Sequence, residues 1–214
     1  MPNTDDLIAD LVGDLRPVRH LRQSQGLWFI AAAIGVCLAA VLLSVGMRPD
    51  LAVGRLDPMF LMGSGSFLIL GLAAAVTVVI MGRPQVGTDH RGWLWAGAMA
   101  AVLPLAALIT GIANGPATAL ARSAPDHGII CLLAGSALGL IPAILLVSWL
   151  RRGAPTSPER AGLVTGVAAG SLGIFAVSMN CPHSDIMHIG LWHSLAVVVC
   201  AAAGRAIIPR LIRW

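Results

Sequence analysis

Six apolar stretches dominate the chain, at about 27–47, 59–81, 93–112, 129–150, 161–179 and 188–208. A helix rises 1.5 Å per residue, so about 20 apolar residues cross a hydrocarbon core about 30 Å thick. In lipid each backbone N–H and C=O must be paired within its own segment, which favours helices. The pattern therefore predicts an all-α fold, an integral membrane bundle of six transmembrane helices. Pro104 and Pro142 fall inside the third and fourth stretches and predict kinks there. The first stretch has no small-x-small cleavage site and reads as the first membrane helix rather than a signal peptide.

A different pattern precedes these stretches. Leu7, Leu11 and Leu15 recur every four residues, with Ile8 and Val12 beside them, and Asp6, Asp10 and Asp14 form a parallel row. Thr4 is the expected N-cap, Asp5 and Asp6 suit the positive end of a helix dipole, and Pro17 stops the pattern. A short amphipathic helix edged with acid, too short to be stable alone, suits docking into an apolar groove with basic surroundings. A helix lying on the membrane is the other reading, and acidic residues fit an anionic leaflet poorly. The chain thus divides into a partner-binding segment, 1–26, and a membrane domain, 27–214.

Composition sharpens this picture. The 214 residues are 57% hydrophobic and 11% charged, with a mean hydropathy of +0.84. All fourteen basic residues are arginine, and most flank the apolar stretches, so the net charge of +4 is no nucleic-acid signal. Arg16, Arg19, Arg22, Arg83, Arg91, Arg151, Arg152, Arg160, Arg205, Arg210 and Arg213 fall on one side, and Arg48, Arg55 and Arg122 on the other. The positive-inside rule predicts that both termini are cytoplasmic. Trp93, Trp95, Trp149, Trp192 and Trp214 lie near the ends of stretches, as interfacial tryptophans do. Gly162, Gly166 and Gly170 in the fifth stretch, and Gly135 and Gly139 in the fourth, predict close helix contacts within the bundle.

The candidate chemistry lies at one membrane face. Cys131 is expected to open the fourth helix and Cys181 to close the fifth, both on the extracytoplasmic side. Asp126, His127, His183, Asp185, His188 and His193 stand nearby in sequence. If the fourth helix extends back to Pro125, His127 and Cys131 share a face. The thiols could form a disulfide, bind a soft metal with histidine help, or act as free thiols reactive towards oxidants and heavy metals. They could also be inert small residues. Cys37 and Cys200, in mid-stretch, read as packing residues. No Cys-x-x-Cys is present and no ionisable group sits at the centre of a stretch. Those absences argue against an enzyme and against an ion pathway. A membrane thiol oxidoreductase or haem-binding protein is the alternative.

The chain resembles the NrsF-type membrane anti-sigma factors, negative regulators of SigF-like extracytoplasmic-function sigma factors. The resemblance rests on Thr4-Asp5-Asp6-Leu7-Ile8, Arg16-Pro17-Val18-Arg19, Cys131, Arg151-Arg152-Gly153-Ala154-Pro155, the glycine-rich fifth stretch, and Cys181-Pro182 followed by Trp192. It implies a multi-pass protein of the bacterial cytoplasmic (inner) membrane that sequesters a sigma factor and is not an enzyme. Carried over by position, Cys131 and Cys181 are the sensing residues, with His127, His183, Asp185, His188 and His193 as possible metal or accessory groups. The sigma-binding residues are Asp6, Leu7, Ile8, Asp10, Leu11, Asp14 and Leu15. The implied partners are a sigma factor and membrane lipid, with no direct nucleic-acid contact. No resident cofactor is implied beyond a transient heavy-metal ion at the cysteine pair. Family members often carry acidic residues just after Cys-Pro. Here His183 comes first and Asp185 follows, a departure that favours a metal signal. The sequence leaves open which helix carries the signal.

Overall fold

The computed structural model describes residues 3–13, 22–83 and 92–212. Asp14 and Leu15 lie outside these residues, as do Arg16, Pro17, Val18, Arg19, His20, His90, Arg91, Arg213, Trp214 and the Trp93 side chain. The described fold is all-α. Its six helices long and apolar enough to cross a membrane are Gln23–Ser44, Pro58–Met81, Leu94–Asn114, Pro125–Leu150, Pro158–Ser178 and Ile186–Ile212, here called the first to sixth spans. A short helix, Thr4–Gly13, precedes them.

Proline at the first turn begins several of these helices, where its missing N–H has no helical partner to lose. Pro58, Pro125 and Pro158 open the second, fourth and fifth spans. Asp57 caps the second span by accepting from the Met59 N–H at 2.8 Å. In the short helix the carbonyl of Asn3 accepts from Asp6 and Leu7, and its side chain accepts from Asp5. Asn3 therefore takes the capping place expected of Thr4, which lies in the first turn.

The fifth span is the axis of the bundle and is buried along almost its whole length. Glycines make this possible. A Cβ at Gly162 would stand 2.6 Å from the Gly204 carbonyl oxygen, and one at Gly170 would stand 2.7 Å from the Val197 Cα. Between them, a Cβ at Gly166 would run into the Cys200 carbonyl. The fifth and sixth spans thus pack backbone to backbone, as small residues allow in lipid. On another side of the same helix, Gly173 faces Gly135 and Gly139 of the fourth span. Both glycine rows are consumed by contacts inside the bundle, as expected.

Contacts between connections identify the two ends. The Ala154 N–H donates to the Gly82 carbonyl, Arg152 lies over the Phe29 ring, and Arg205 pairs with Glu159. These contacts gather the start of the first span, the ends of the second, fourth and sixth, and the start of the fifth. At the other end the Arg48 N–H donates to the Met179 carbonyl, and Arg122 pairs with Asp185. Large apolar side chains face outward between the ends, with Leu43 87% exposed, as a lipid-facing surface requires.

Two expectations need correction. Trp149 is fully buried and its indole N–H donates to the Val79 carbonyl at 3.2 Å, so it is a packing residue rather than an interfacial anchor. Among the described tryptophan side chains, Trp28 and Trp95 are exposed. Cys37 also does more than fill space. Pro142 lacks an N–H, which frees the Leu138 carbonyl four residues back, and the helix breaks at Gly139. The Cys37 thiol of the first span donates to that carbonyl at 3.5 Å.

Gly166→Ala should destabilise the protein by about 1–3 kcal/mol, the usual effect of overpacking. Gly35→Ala, where a Cβ meets nothing within 4 Å, should be neutral or stabilising. Thermal unfolding of the detergent-solubilised protein measures both.

Candidate metal and thiol centre

The centre is assembled by three irregular stretches of backbone. The first follows the short helix Pro116–Ser123. Ala124 adopts a left-handed conformation (φ 47°) immediately before Pro125. This break leaves the Ser123 carbonyl without a helical partner, and His188 takes it: Nδ1 donates to that oxygen at 2.8 Å. A carbonyl can only accept, so Nδ1 carries the hydrogen and Nε2 points elsewhere. It points at Cys181, with Nε2 and Sγ 3.4 Å apart.

The second is the fourth span itself. It begins at Pro125, so Cys131 lies well inside the helix and is buried. The expectation that Cys131 opens the fourth helix is therefore incorrect. His127 and Cys131 are one helical turn apart, and His127 is exposed. Cys181 lies just past the end of the fifth span and is also buried. The two thiols are free, and Cys131 donates to Cys181 across 3.6 Å. That hydrogen bond, with the His188 contact behind it, holds the Cys181 thiol well below its usual value despite burial.

The third is a π-helical turn, Ile189–His193, in the first part of the sixth span. On an α-helix, residues five apart point about 140° away from each other. In a π turn the hydrogen bonds run i→i+5, so residues five apart stack. The turn brings His188 and His193 together, with ring centroids 5.1 Å apart.

One ligand atom each from Cys131, Cys181, His188 and His193 lies within 4.8 Å of the others, and all four residues are buried. A tetrahedral ion with sulfur at about 2.3 Å and nitrogen at about 2.0 Å holds its ligands about 3.3–3.8 Å apart. The thiol pair and the Cys181–His188 pair already meet that spacing. His193 Nε2 is buried with no hydrogen-bond partner, an unsatisfied atom that a metal ion would satisfy. Two sulfurs and two imidazoles form a donor set suited to a soft or borderline ion such as Zn²⁺ or Cd²⁺.

The remaining candidates stand further out. His127, His183 and His188 continue the file of rings, with centroids 4.9 and 5.0 Å apart. Burial and the charge of His188 push the His183 imidazole down from its ordinary value, which favours its neutral form. Asp185 is outside the four-residue group. It accepts from the Met187 N–H at 2.8 Å and pairs with Arg122 at 2.8 Å, anchoring the start of the sixth span. Asp126 is exposed. A crevice of about 420 Å³ between the first and fourth spans reaches both thiols and has His127 in its wall.

Sequence reasoning missed four contributors. The Ser123 carbonyl could have been suspected from Ala-Pro following a helix. The π turn has no sequence signal, because His188 and His193 do not share an α-helical face. Arg48 entered only as a count towards orientation, and Asn180 carried no signal. Arg48 is buried, holds Asp50 at 2.6 Å and donates to Ser184 at 3.1 Å. The Asn180 amide donates to the Val45 and Gly46 carbonyls at 3.2 and 3.1 Å. Both residues tie the loop that carries Cys181 to the end of the first span.

Titrating the purified, reduced protein with Cd²⁺ should produce an ultraviolet sulfur-to-metal charge-transfer band with one-to-one stoichiometry. Cys131→Ser or Cys181→Ser should abolish the band, and His193→Ala should weaken binding at least about tenfold. His127→Ala should leave the band in place. Binding displaces protons from the thiols, so affinity should rise with pH.

Comparison with known proteins agrees with this architecture. The family model described as NrsF, negative regulator of sigma F, matches residues 11–214. The chain is 31% identical to the anti-sigma-F factor NrsF of Caulobacter vibrioides, over 99% of each chain. It is 26% identical to a probable anti-sigma-F factor NrsF of Azospira oryzae, again over 99% of each. No solved structure matches. A full-length match, six spans and a cysteine–histidine cluster lead to one conclusion: this chain belongs to the NrsF family of membrane anti-sigma factors.

Proposed function

We propose that the protein sequesters an extracytoplasmic-function sigma factor through its N-terminal segment and releases it when Cys131 and Cys181 take up a thiophilic metal ion or are oxidised. In this reading residues 1–26 bind the partner and residues 27–214 sense the signal. Both termini are cytoplasmic and the thiols face outward, in the cytoplasmic membrane of a bacterium. The arginine bias supports that orientation. Two of the three arginines on the minority side are neutralised, Arg48 by Asp50 and Arg122 by Asp185. The Arg48 hydrogen bond also holds the Asp50 carboxyl below its usual range, so that pair stays ionised.

The observation that carries the proposal is the fastening of the Cys181 loop to the first span. Met179 and Asn180 on one side of Cys181, and Ser184 on the other, are bonded to Arg48, Val45 and Gly46. The opposite end of the first span leads directly back to the N-terminal segment. A second contact runs deeper. Leu138 packs both with the Cys131–Val177–Cys181 cluster and with the Cys37–Val41–Ala176 cluster, and its carbonyl accepts from Cys37. An ion that draws four ligand atoms from up to 4.8 Å apart to about 3.3–3.8 Å must move at least one of the elements that carry them: the fourth span, the Cys181 loop or the start of the sixth span. Oxidation has the same sense: the sulfurs close from 3.6 Å to a bond of about 2.05 Å, with two electrons and two protons passing to the oxidant. Either event bears on the first span. A coupling of about 1–3 kcal/mol changes partner affinity about 5- to 150-fold.

The N-terminal helix supports the partner assignment. Leu7, Ile8, Leu11 and Val12 are each more than half exposed, and no residue of Thr4–Gly13 is buried. The apolar stripe is unused by the rest of the described chain. Asp6 and Asp10 border it, with Asp14 and Leu15 continuing the pattern in sequence.

Affinity purification of the tagged protein should recover a sigma factor, and deletion of residues 1–22 should abolish the recovery. Leu11→Asp, at an exposed position, should weaken binding roughly 10- to 100-fold, the effect of one buried leucine. Recovery unchanged by either alteration would refute the partner site. The coupling has its own test: Arg48→Ala with Asn180→Ala should keep both Cd²⁺ binding and sigma binding, yet blunt Cd²⁺-induced release in a reporter strain.

A further inference from the structure

We propose that the groove between the fourth and sixth spans is a binding site for one anionic phospholipid, with an acyl chain along the groove and the phosphate on Arg151 and Arg152. The groove has a volume of about 580 Å³, and its lining includes neither Cys131 nor Cys181. Leu140, Ala143 and Val147 form one wall, and Ala203, Ile207 and Leu211 form the other. Its floor is Gly166 and Ala169 of the fifth span, small residues that set the groove deep between its larger neighbours. Along the fourth span it runs from Ser136 to Arg151. At 1.5 Å per residue that is about 22 Å, a large part of a hydrocarbon core about 30 Å thick.

Charge decides the occupant. The lining is apolar along its length and includes no carboxylate. Its only ionised side chains, Arg151 and Arg152, sit together at one end, in the turn that follows the fourth span. Both are exposed, and Arg152 is oriented by lying over the Phe29 ring with its guanidinium 5.7 Å from the centroid. Guanidinium groups pair bidentately with phosphate oxygens, and two at headgroup depth favour an anionic headgroup over a zwitterionic one. A second membrane helix would fill the apolar part but leave the arginines without a partner. A chain with a phosphate at one end satisfies both parts. The fit is independent of which leaflet the arginines face.

Native mass spectrometry of the full-length protein in detergent tests this, with phosphatidylglycerol and phosphatidylcholine of identical chains as probes. The wild type should retain one phosphatidylglycerol more tightly than phosphatidylcholine. R151Q/R152Q should weaken phosphatidylglycerol about fivefold per arginine, removing the preference, and R151K/R152K should keep it. Ala203 is exposed, so Ala203→Phe should fill the groove without disturbing the core, and retention of both lipids should fall. Equal affinity of the wild type for the two lipids would overturn the proposal. So would a preference that survives R151Q/R152Q, or a protein dimer that Ala203→Phe dissociates.

Discussion

The close approach of the fifth and sixth spans governs the rest of the molecule. In lipid there is no water to drive apolar side chains together, so helices associate where their backbones can come near. Gly162, Gly166, Gly170 and Gly204 supply that nearness, and the fifth span can then be enclosed on nearly every side. Once it is fixed, the sixth span is fixed against it, and with it the π turn that brings His188 and His193 together. The loop after the fifth span, holding Cys181, is placed by the same packing.

Polar groups in this environment have few partners, and the structure uses that scarcity. Two breaks in helical hydrogen bonding, at Ala124–Pro125 and at Gly139–Pro142, each release a backbone carbonyl. The first accepts from His188 and sets its tautomer. The second accepts from the Cys37 thiol and joins the first span to the fourth. Proline thus creates the acceptors around which the centre and its link to the first span are built. His193 Nε2 is one of several buried polar atoms left unpaired among the described residues, and its residue belongs to the four-residue cysteine–histidine group. A buried polar atom without a partner is costly, and an ion bound there would remove that cost.

The same geometry separates the thiol centre from the uncovered leucine stripe along the chain. The thiol centre lies at the end of the bundle where Arg48 and Arg122 are neutralised by carboxylates, while the uncovered leucine stripe precedes the other end of the first span. Between them the first span runs unbroken from Gln23 to Ser44. A continuous helix therefore joins Val45 and Gly46, where the Cys181 loop is fastened, to the opposite end of the bundle. Exposed Arg151 and Arg152 lie at the far end from the thiols, beside a groove open to lipid, and take no part in that link.

Hydropathy alone determined the number of spans, their approximate limits and the all-α class, because each crossing needs its own run of about 20 apolar residues. Glycine spacing determined which faces would pack, and the cysteines with their histidine neighbours marked the right end of the bundle. Only the tertiary structure decided which of those neighbours form the centre. His188 and His193 diverge on an α-helix and meet only because the chain takes an extra residue into a wider π turn, and Asp185 is drawn away by Arg122. Trp149 and Arg48 look like surface residues in a linear reading and are buried by contacts with segments distant along the chain. Periodicity reports what a helix turns towards, whereas the meeting of side chains depends on irregular backbone and on partners far away in sequence, which no local pattern encodes.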